Sequence, residues 1–308
     1  MHESSYHVPV MVEEVLHFLR PRRGGLYLDG TLGAGGHAEA ILGASADAQV
    51  IGVDRDPEAL AHATARLAPF GDRIRFIRST FAQATDQAGL GEDTLAGALL
   101  DLGISSHQVD EPARGFTFRS GAPLDMRMEG AGDRRSAADL LNELPEEELA
   151  TIFYRYGEER RSRRLARILV EMRRSAPLVE SDQLSAALER AIPRATMQDR
   201  ARIFQALRIA VNDEVDELGS VLPLLREALS PGGVLVVISY HSLEDRIVKD
   251  SFREWSRECI CPPGLPICRC RGKRLGVALT RKPVMAREAE VEGNPRSRSA
   301  RLRAWRKA

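Results

Sequence analysis

The sequence predicts an α/β fold in which a mostly parallel, Rossmann-like sheet is interrupted by an all-helical insertion. Three observations carry this. Short apolar runs ending in acids alternate with helical stretches up to Asp101. From Ser136 to Ile192 the periodicity is helical only, and an α/β pattern returns after that.

Each element has its own signal. Leu26 to Asp29 is an apolar run ending in an acid, followed by a Gly-rich turn and a helix from Ala38 to Leu42. Gln49 to Val53 gives a second strand ending at Asp54. Pro57 then opens a helix through Leu67, at a position where its missing N–H costs nothing. Ile74 to Ile77 and Leu95 to Leu100 are the third and fourth strands, the latter ending at Asp101. Ser105 to Asp133 reads as loop, rich in Gly, Pro and charge. In the helical stretch Leu149, Ile152, Phe153 and Tyr156 share one face, as do Leu165, Ile168, Leu169 and Met172. Arg202 to Leu229 is expected as helix, bent near Pro223, and Pro231-Gly232-Gly233 turns into a strand from Val234 to Ile238. A helix from Ser242 to Trp255 follows, with Ser242 as its N-cap and Glu244 and Asp245 in its first turn. Further strands are expected around Val277 to Thr280 and Ala300 to Trp305. The expected domains are residues 1–110, a helical insertion over 111–198, and a second α/β part over 199–308 ending in a basic tail.

Composition narrows the class. With 43% hydrophobic and 29% charged residues, the 308-residue chain resembles an ordinary globular protein with a sizeable core. Lys plus Arg and Asp plus Glu each total 44, so only the distribution of charge is informative. Arg296, Arg298, Arg301, Arg303, Arg306 and Lys307 form a run without acids, and Arg160, Arg161, Arg163, Arg164 and Arg167 form another. Such runs suit phosphates, although a solvated helix face accounts for them equally well. No stretch is long and apolar enough to span a bilayer and no signal pattern opens the chain, so a cytoplasmic protein with no membrane partner is expected.

Asp29-Gly30-Thr31-Leu32-Gly33-Ala34-Gly35-Gly36-His37 lies where ligands bind in open α/β sheets, beyond a strand's carboxyl end. Asp54 ends the next strand, where a carboxylate can hold a ribose diol. Dinucleotide-binding and methyltransferase folds share this arrangement. Methyl transfer is favoured by Asp29 directly before the glycines, facing the cationic methionine end of S-adenosylmethionine, and by Ala38 at the third fingerprint position. A nicotinamide dehydrogenase stays open on this segment alone.

Further blocks narrow the reading. They are His7 to Val10, Asp101 to Asp110, Arg114 to Phe118, Gly121 to Met128, Phe204 to Ile209, Ile238 to Arg246 and Asn294 to Ala300. Together, in this order, they resemble the bacterial 16S rRNA (cytosine-N4-)-methyltransferase family, the MraW type. The resemblance implies a class I S-adenosylmethionine-dependent methyltransferase with a helical insert, acting on 16S rRNA in the 30S ribosomal subunit. It implies that Gly35, Gly36 and His37 meet the methionine end of the cofactor, that Asp54 binds its ribose, and that Phe81 lies on the adenine side. Asp101 and Gln108 would line the same pocket near the reacting centre. His107, Glu129 and the run Gln198 to Ala201 depart from the family pattern, away from the cofactor loop.

Cytosine N4 is a weak nucleophile because its lone pair is delocalised, so acceptors for its protons are needed. Asp101, the carbonyls of Leu102 to Ile104, and Ser105 or Ser106 are placed for that role. The Pro-Pro-aromatic motif of many amino-methyltransferases is absent, which makes Tyr240 or Phe116 the candidate for stacking on the base. His241 is either a proton acceptor or hydrogen-bonded architecture. Cys259, Cys261, Cys268 and Cys270 form two C-x-C pairs, less typical of zinc than C-x₂-C pairs, and are expected as reduced thiols without a metal. The insert and the basic tail are expected to wall an RNA cleft around a flipped base, the insert alternatively serving as a lid or homodimer contact. A DNA cytosine methyltransferase and a non-catalytic ribosome assembly factor are the competing functions.

Overall fold

The computed structural model describes residues 9–105, 108–109, 111–262, 267 and 269–308. The chain forms two compact units. One combines the segments before and including Gly103 with Asp216 onward, and the other runs from Ile104 to Val215.

The first unit is built on an eight-stranded sheet. Its strands are β1 (Gly25–Asp29), β2 (Ala48–Asp54), β3 (Ile74–Arg78), β4 (Leu95–Asp101), β5 (Leu229–Ser239), β6 (Gly276–Ala278), β7 (Val284–Met285) and β8 (Arg301–Lys307). The order is β3-β2-β1-β4-β5-β8-β6, with β7 also paired to β8. The first five strands are mutually parallel, and β8 runs antiparallel to β5, β6 and β7. The central strands β1, β2, β4 and β5 match apolar runs in the sequence because a sheet covered on both faces must be apolar on both. Two apolar clusters within this unit do the covering. One gathers Leu28, Ile51, Val53, Leu100, Leu222, Phe252 and Trp305, and the other Tyr27, Ile41, Val50, Leu99, Val236 and Leu302. The order reverses between β1 and β4, so the acids ending these strands stand at the switch point of the sheet.

The second unit contains the helices Ala137–Glu143, Glu146–Arg155, Ser162–Arg173, Ser181–Ala191 and Met197–Asn212. Among its described residues the only extended pairing is an isolated bridge between Pro123 and Glu180. Its core gathers Leu140, Leu149, Phe153, Leu165, Leu169, Leu188, Phe204 and Leu207. Asn212 is fully buried and ties the unit together. Its Oδ1 accepts from Met128 N at 2.9 Å, and its Nδ2 donates to the Met126 and Arg208 carbonyls at 2.8 Å each.

Three boundaries differ from the sequence expectation, the first being that the second unit begins at Ile104 rather than at residue 111. The helix Met197–Asn212 belongs to the second unit rather than to the returning α/β part, because Ile203, Phe204, Ala206, Leu207 and Val211 pack into the helical core. The helical stretch breaks at Asp213, not Pro223. Asp213 takes the left-handed conformation and its N–H caps the Ile209 carbonyl, while Pro223 lies inside the next helix, Glu214–Ala228.

The strand expected over Ala300 to Trp305 is present and takes in part of the basic tail. Arg301 to Lys307 is a strand inside the sheet. Arg303 is buried and pairs with Asp245 at 2.6 and 3.1 Å, and Lys307 reaches Asp93 at 2.8 Å. Arg298 and Arg306 are exposed. No helix among the described residues is long and apolar enough to cross a membrane.

Candidate active site

The carboxyl ends of β1, β2 and β4 deliver Asp29, Asp54 and Asp101 to one edge of the sheet. Asp29 is 1% exposed, and burial pushes its carboxyl up to about 6, an effect added to by Asp101 and Asp54 and opposed by His37 and the Thr31 amide. Burial raises Asp101 further, to about 7, against the hydrogen bond that Tyr240 donates to it. Asp54 is raised by burial as well, while the amides of Asp56 and Gly33 pull it down. Three acids so placed form a desolvated, electron-rich edge that favours a proton or a cationic ligand.

The Gly-rich turn packs around them. Gly33 has φ +52°, a conformation that suits glycine, and its N–H donates to Asp54 Oδ2 at 2.7 Å. A Cβ at Gly33 would meet open space. Gly35 is the left-handed N-cap of the helix Gly36–Ala44 and abuts Leu67. Gly36 is needed for packing, since a Cβ there would lie 2.8 Å from Pro9 Cγ. Phe81 begins a short 3₁₀ turn after β3 beside Gly30, with the Arg55 guanidinium 6.0 Å from its ring centre.

His37 is buried, and burial lowers its pKa. Its Nε2 lies 2.8 Å from the Val10 carbonyl, which can only accept, so Nε2 carries the proton. The lone-pair nitrogen, Nδ1, therefore faces Asp101 Oδ2 at 3.7 Å. On the other side, Tyr240 Oη donates to Asp101 Oδ1 at 2.9 Å, and Thr31 Oγ1 accepts from the Asp101 amide at 2.6 Å. The Tyr240 ring packs over Gly103, and burial beside Asp101 pushes its hydroxyl pKa upward.

His241 serves as a cap. It, not Ser242, precedes the helix Ser242–Trp255, and its Nδ1 accepts from the Glu244 amide at 3.5 Å. Its Nε2 lies 3.0 Å from Glu244 Oε1. The other oxygen of the buried Glu244 accepts from the backbone amides of Tyr240 and His241, at 2.9 and 3.4 Å. Glu244 thereby fixes the turn that presents Tyr240.

Ser105 and Gln108 belong to the second unit and cap one another. The Ser105 amide donates to Gln108 Oε1 at 3.1 Å, the Gln108 amide to Ser105 Oγ at 3.2 Å, and Gln108 Nε2 to the Met128 carbonyl at 3.3 Å. Phe116 packs against the helical core of that unit. Ser106, His107, Asp110 and Cys268, like His7 and Val8 of the first family block, lie outside the described residues. Sequence reasoning missed Gly33 as the amide that binds Asp54, and Thr31 and Tyr240 as direct partners of Asp101. The 3.6-residue and two-residue periodicities carry no signal for a pairing 139 positions apart.

The chemistry of this donor set fits S-adenosylmethionine. Asp29 Oδ2 is buried without a hydrogen-bond partner among the described residues, an acceptor suited to a cationic group. Asp54 ends β2, where it suits a ribose diol, and Phe81 offers an apolar face beside the glycine turn.

A sheet ordered 3-2-1-4-5 with an antiparallel strand beyond β5 departs from the 3-2-1-4-5-6 order of dinucleotide-binding sheets. Together with the acid-flanked glycine turn, it defines a Rossmann-like methyltransferase of class I. The chain belongs to the MraW methylase family, whose profile matches residues 4–308. It is 51% identical to the ribosomal RNA small subunit methyltransferase H of Geotalea uraniireducens over 98% of both chains. To the protein of that name from Heliobacterium mobile it is 48% identical, over 98% of this chain and 99% of the relative.

Proposed function

We propose that the chain transfers the methyl group of S-adenosylmethionine to the exocyclic N4 amine of a cytidine in 16S rRNA, with the 30S ribosomal subunit in the cytoplasm as substrate. One observation carries the chemistry: three carboxylates at the ends of β1, β2 and β4, Asp29 buried with one oxygen unpartnered among the described residues and Asp54 and Asp101 largely buried, flank a glycine turn. The substrate rests on membership of the family and on relatives named for the small ribosomal subunit RNA.

Within this reading Gly35, Gly36 and His37 meet the methionine end with Asp29, Gly33 shapes the turn, Asp54 takes the ribose and Phe81 the adenine side. When bound, S-adenosylmethionine supplies an electrophilic methyl group on a sulfonium. The residues of the chain have to orient the base and receive a proton. An N4 amine that gains a methyl group loses one proton, and Asp101 is the acceptor because its carboxyl titrates near neutrality. Tyr240 keeps Asp101 ionised by donating to Oδ1, and offers the ring against which a base can stack. His241 holds the loop by capping, and Ser105 and Gln108 stand as site residues on the family resemblance alone.

The exposed Arg160, Arg161, Arg163, Arg164 and Arg167, at or beside the helix Ser162–Arg173, supply the phosphate-binding surface. The tail contributes less than its composition suggests, since Arg303 and Lys307 are spent on carboxylates within the fold.

Labelled S-adenosylmethionine incubated with naked rRNA, 30S subunits or duplex DNA, followed by digestion to nucleosides, tests the proposal. Label in N4-methylated cytidine from the ribosomal substrates is expected. Label only in DNA, or none in that nucleoside, overturns it.

A further inference from the structure

A second constellation lies away from the sheet edge. Between the helix Ser242–Trp255 and β6, residues 256–275 form a long connection without helix or strand among its described residues. A loop of that length in a compact unit needs something to order it. Its base is fastened: the Leu275 amide donates to the Trp255 carbonyl at 2.8 Å, and Arg271 Nη1 meets Glu254 Oε1 at 2.5 Å. Beyond that base three thiols converge. The sulfurs of Cys259, Cys261 and Cys270 all lie within 4.8 Å of one another.

The spacing is informative. The Cys259 and Cys270 sulfurs are 3.9 Å apart, well beyond the ~2 Å of a disulfide bond. Two thiolates on one tetrahedral zinc, each at ~2.3 Å, stand about 3.8 Å apart. The peptide is also folded around the sulfurs as acceptors. The Ile260 amide points at Cys270 Sγ from 3.3 Å, and the Arg269 amide at Cys261 Sγ from 3.4 Å. Each C-x-C pair thus directs a backbone N–H onto a sulfur of the other. Arg257, Arg269, Arg271, Lys273 and Arg274 lie in the same connection as the three thiols.

We propose that Cys259, Cys261 and Cys270 bind a single zinc ion as thiolates, a structural site that clips this basic loop shut, with the fourth tetrahedral position taken by a further ligand. Soft thiolates select zinc over the hard cations, and binding releases the thiol protons to solvent without change of oxidation state. The loop then presents Arg269, Lys273 and Arg274 on a fixed frame. The site is independent of methyl transfer.

The test uses the full chain, purified reduced and without chelators. One zinc per chain by elemental analysis is expected. Cobalt replacing it should give a thiolate-to-metal charge-transfer band and the intense visible bands of a tetrahedral ion. The double variant Cys259→Ser, Cys270→Ser should lose the metal to background while keeping its far-ultraviolet circular dichroism and elution volume. Should that variant fail to fold, mercurial titration of the wild-type chain decides, with metal release in step with thiol modification as the expected result. Metal-free protein that takes up neither zinc nor cobalt after reduction overturns the proposal. So does a folded variant that retains its metal, or iron with inorganic sulfide in place of zinc.

Discussion

Tyr240→Phe isolates one hydrogen bond in the proposed proton path. The substitution keeps the ring over Gly103 and deletes only the hydroxyl that donates to Asp101 Oδ1 at 2.9 Å. A hydrogen bond to a charged partner is worth about 1.5–3 kcal/mol. At 1.36 kcal/mol per pH unit, its loss raises the Asp101 titration by about one to two pH units. The sign follows from the state the bond favours: the hydroxyl stabilises the carboxylate, so without it the proton is held more tightly. With Asp101 titrating at about 7 in the wild type, the variant should titrate near 8–9. At pH 7 its kcat/KM should drop by roughly 5- to 50-fold, with most of the loss recovered by raising the pH. The assay is initial-rate methylation of the ribosomal substrate across pH 5.5 to 9. Asp101→Asn should abolish the inflection altogether. An unmoved inflection in Tyr240→Phe, or a loss equal at every pH, would refute proton acceptance by Asp101.

Other expectations follow from the same geometry. Asp29 holds its proton to about pH 6 in the fold but only to about 4 when unfolded, so stability falls as pH rises through that window. Asp29→Asn should therefore stabilise the cofactor-free chain by up to about 3 kcal/mol at pH 7.5, little at pH 4, and weaken S-adenosylmethionine binding. Urea unfolding at both pH values checks this, and equal effects at the two would rule it out. Gly115→Ala places a Cβ 2.5 Å from the Pro123 carbonyl oxygen at a residue with φ +77°, and should cost about 2–4 kcal/mol in the same measurement. Arg303→Gln removes the close partner of Asp245, leaving it Arg301 at 3.8 Å, and should cost about 1.5–3 kcal/mol. Arg298→Ala, on the exposed side, should leave stability unchanged. Arg160→Ala with Arg163→Ala should flatten the salt dependence of RNA binding, by about 0.7 in log–log slope for each phosphate no longer neutralised.

Much of the first unit was legible because central parallel strands buried on both faces leave apolar runs, and three of them end in a readable acid at Asp29, Asp54 and Asp101. The helical unit was legible from its periodicity. The features that escaped depend on tertiary placement. Ala300 to Trp305 reads as a strand, but the pairing of Arg303 with Asp245 shows only once the two are side by side. His241 takes the cap from Ser242 because Glu244 is buried against both the Tyr240 and His241 amides. The break at Asp213 depends on one left-handed residue, for which an aspartate gives only a weak signal. That Gly36 also makes room for Pro9 shows only once the two are packed together.

The Asn212 stitch has a kinetic consequence. β4 and β5 are paired neighbours, yet about 110 residues separate the points where the chain leaves and rejoins the first unit. Closing a disordered loop of that length costs about 2 kcal/mol more than closing one of roughly ten residues. Asn212, by binding Met126 and Met128, joins the early segment of the helical unit to its last helix. A helical unit that folds first arrives at the β4–β5 encounter as a short, already closed tether. Asn212→Ala should then slow formation of the sheet itself, although Asn212 lies in a different unit from every strand.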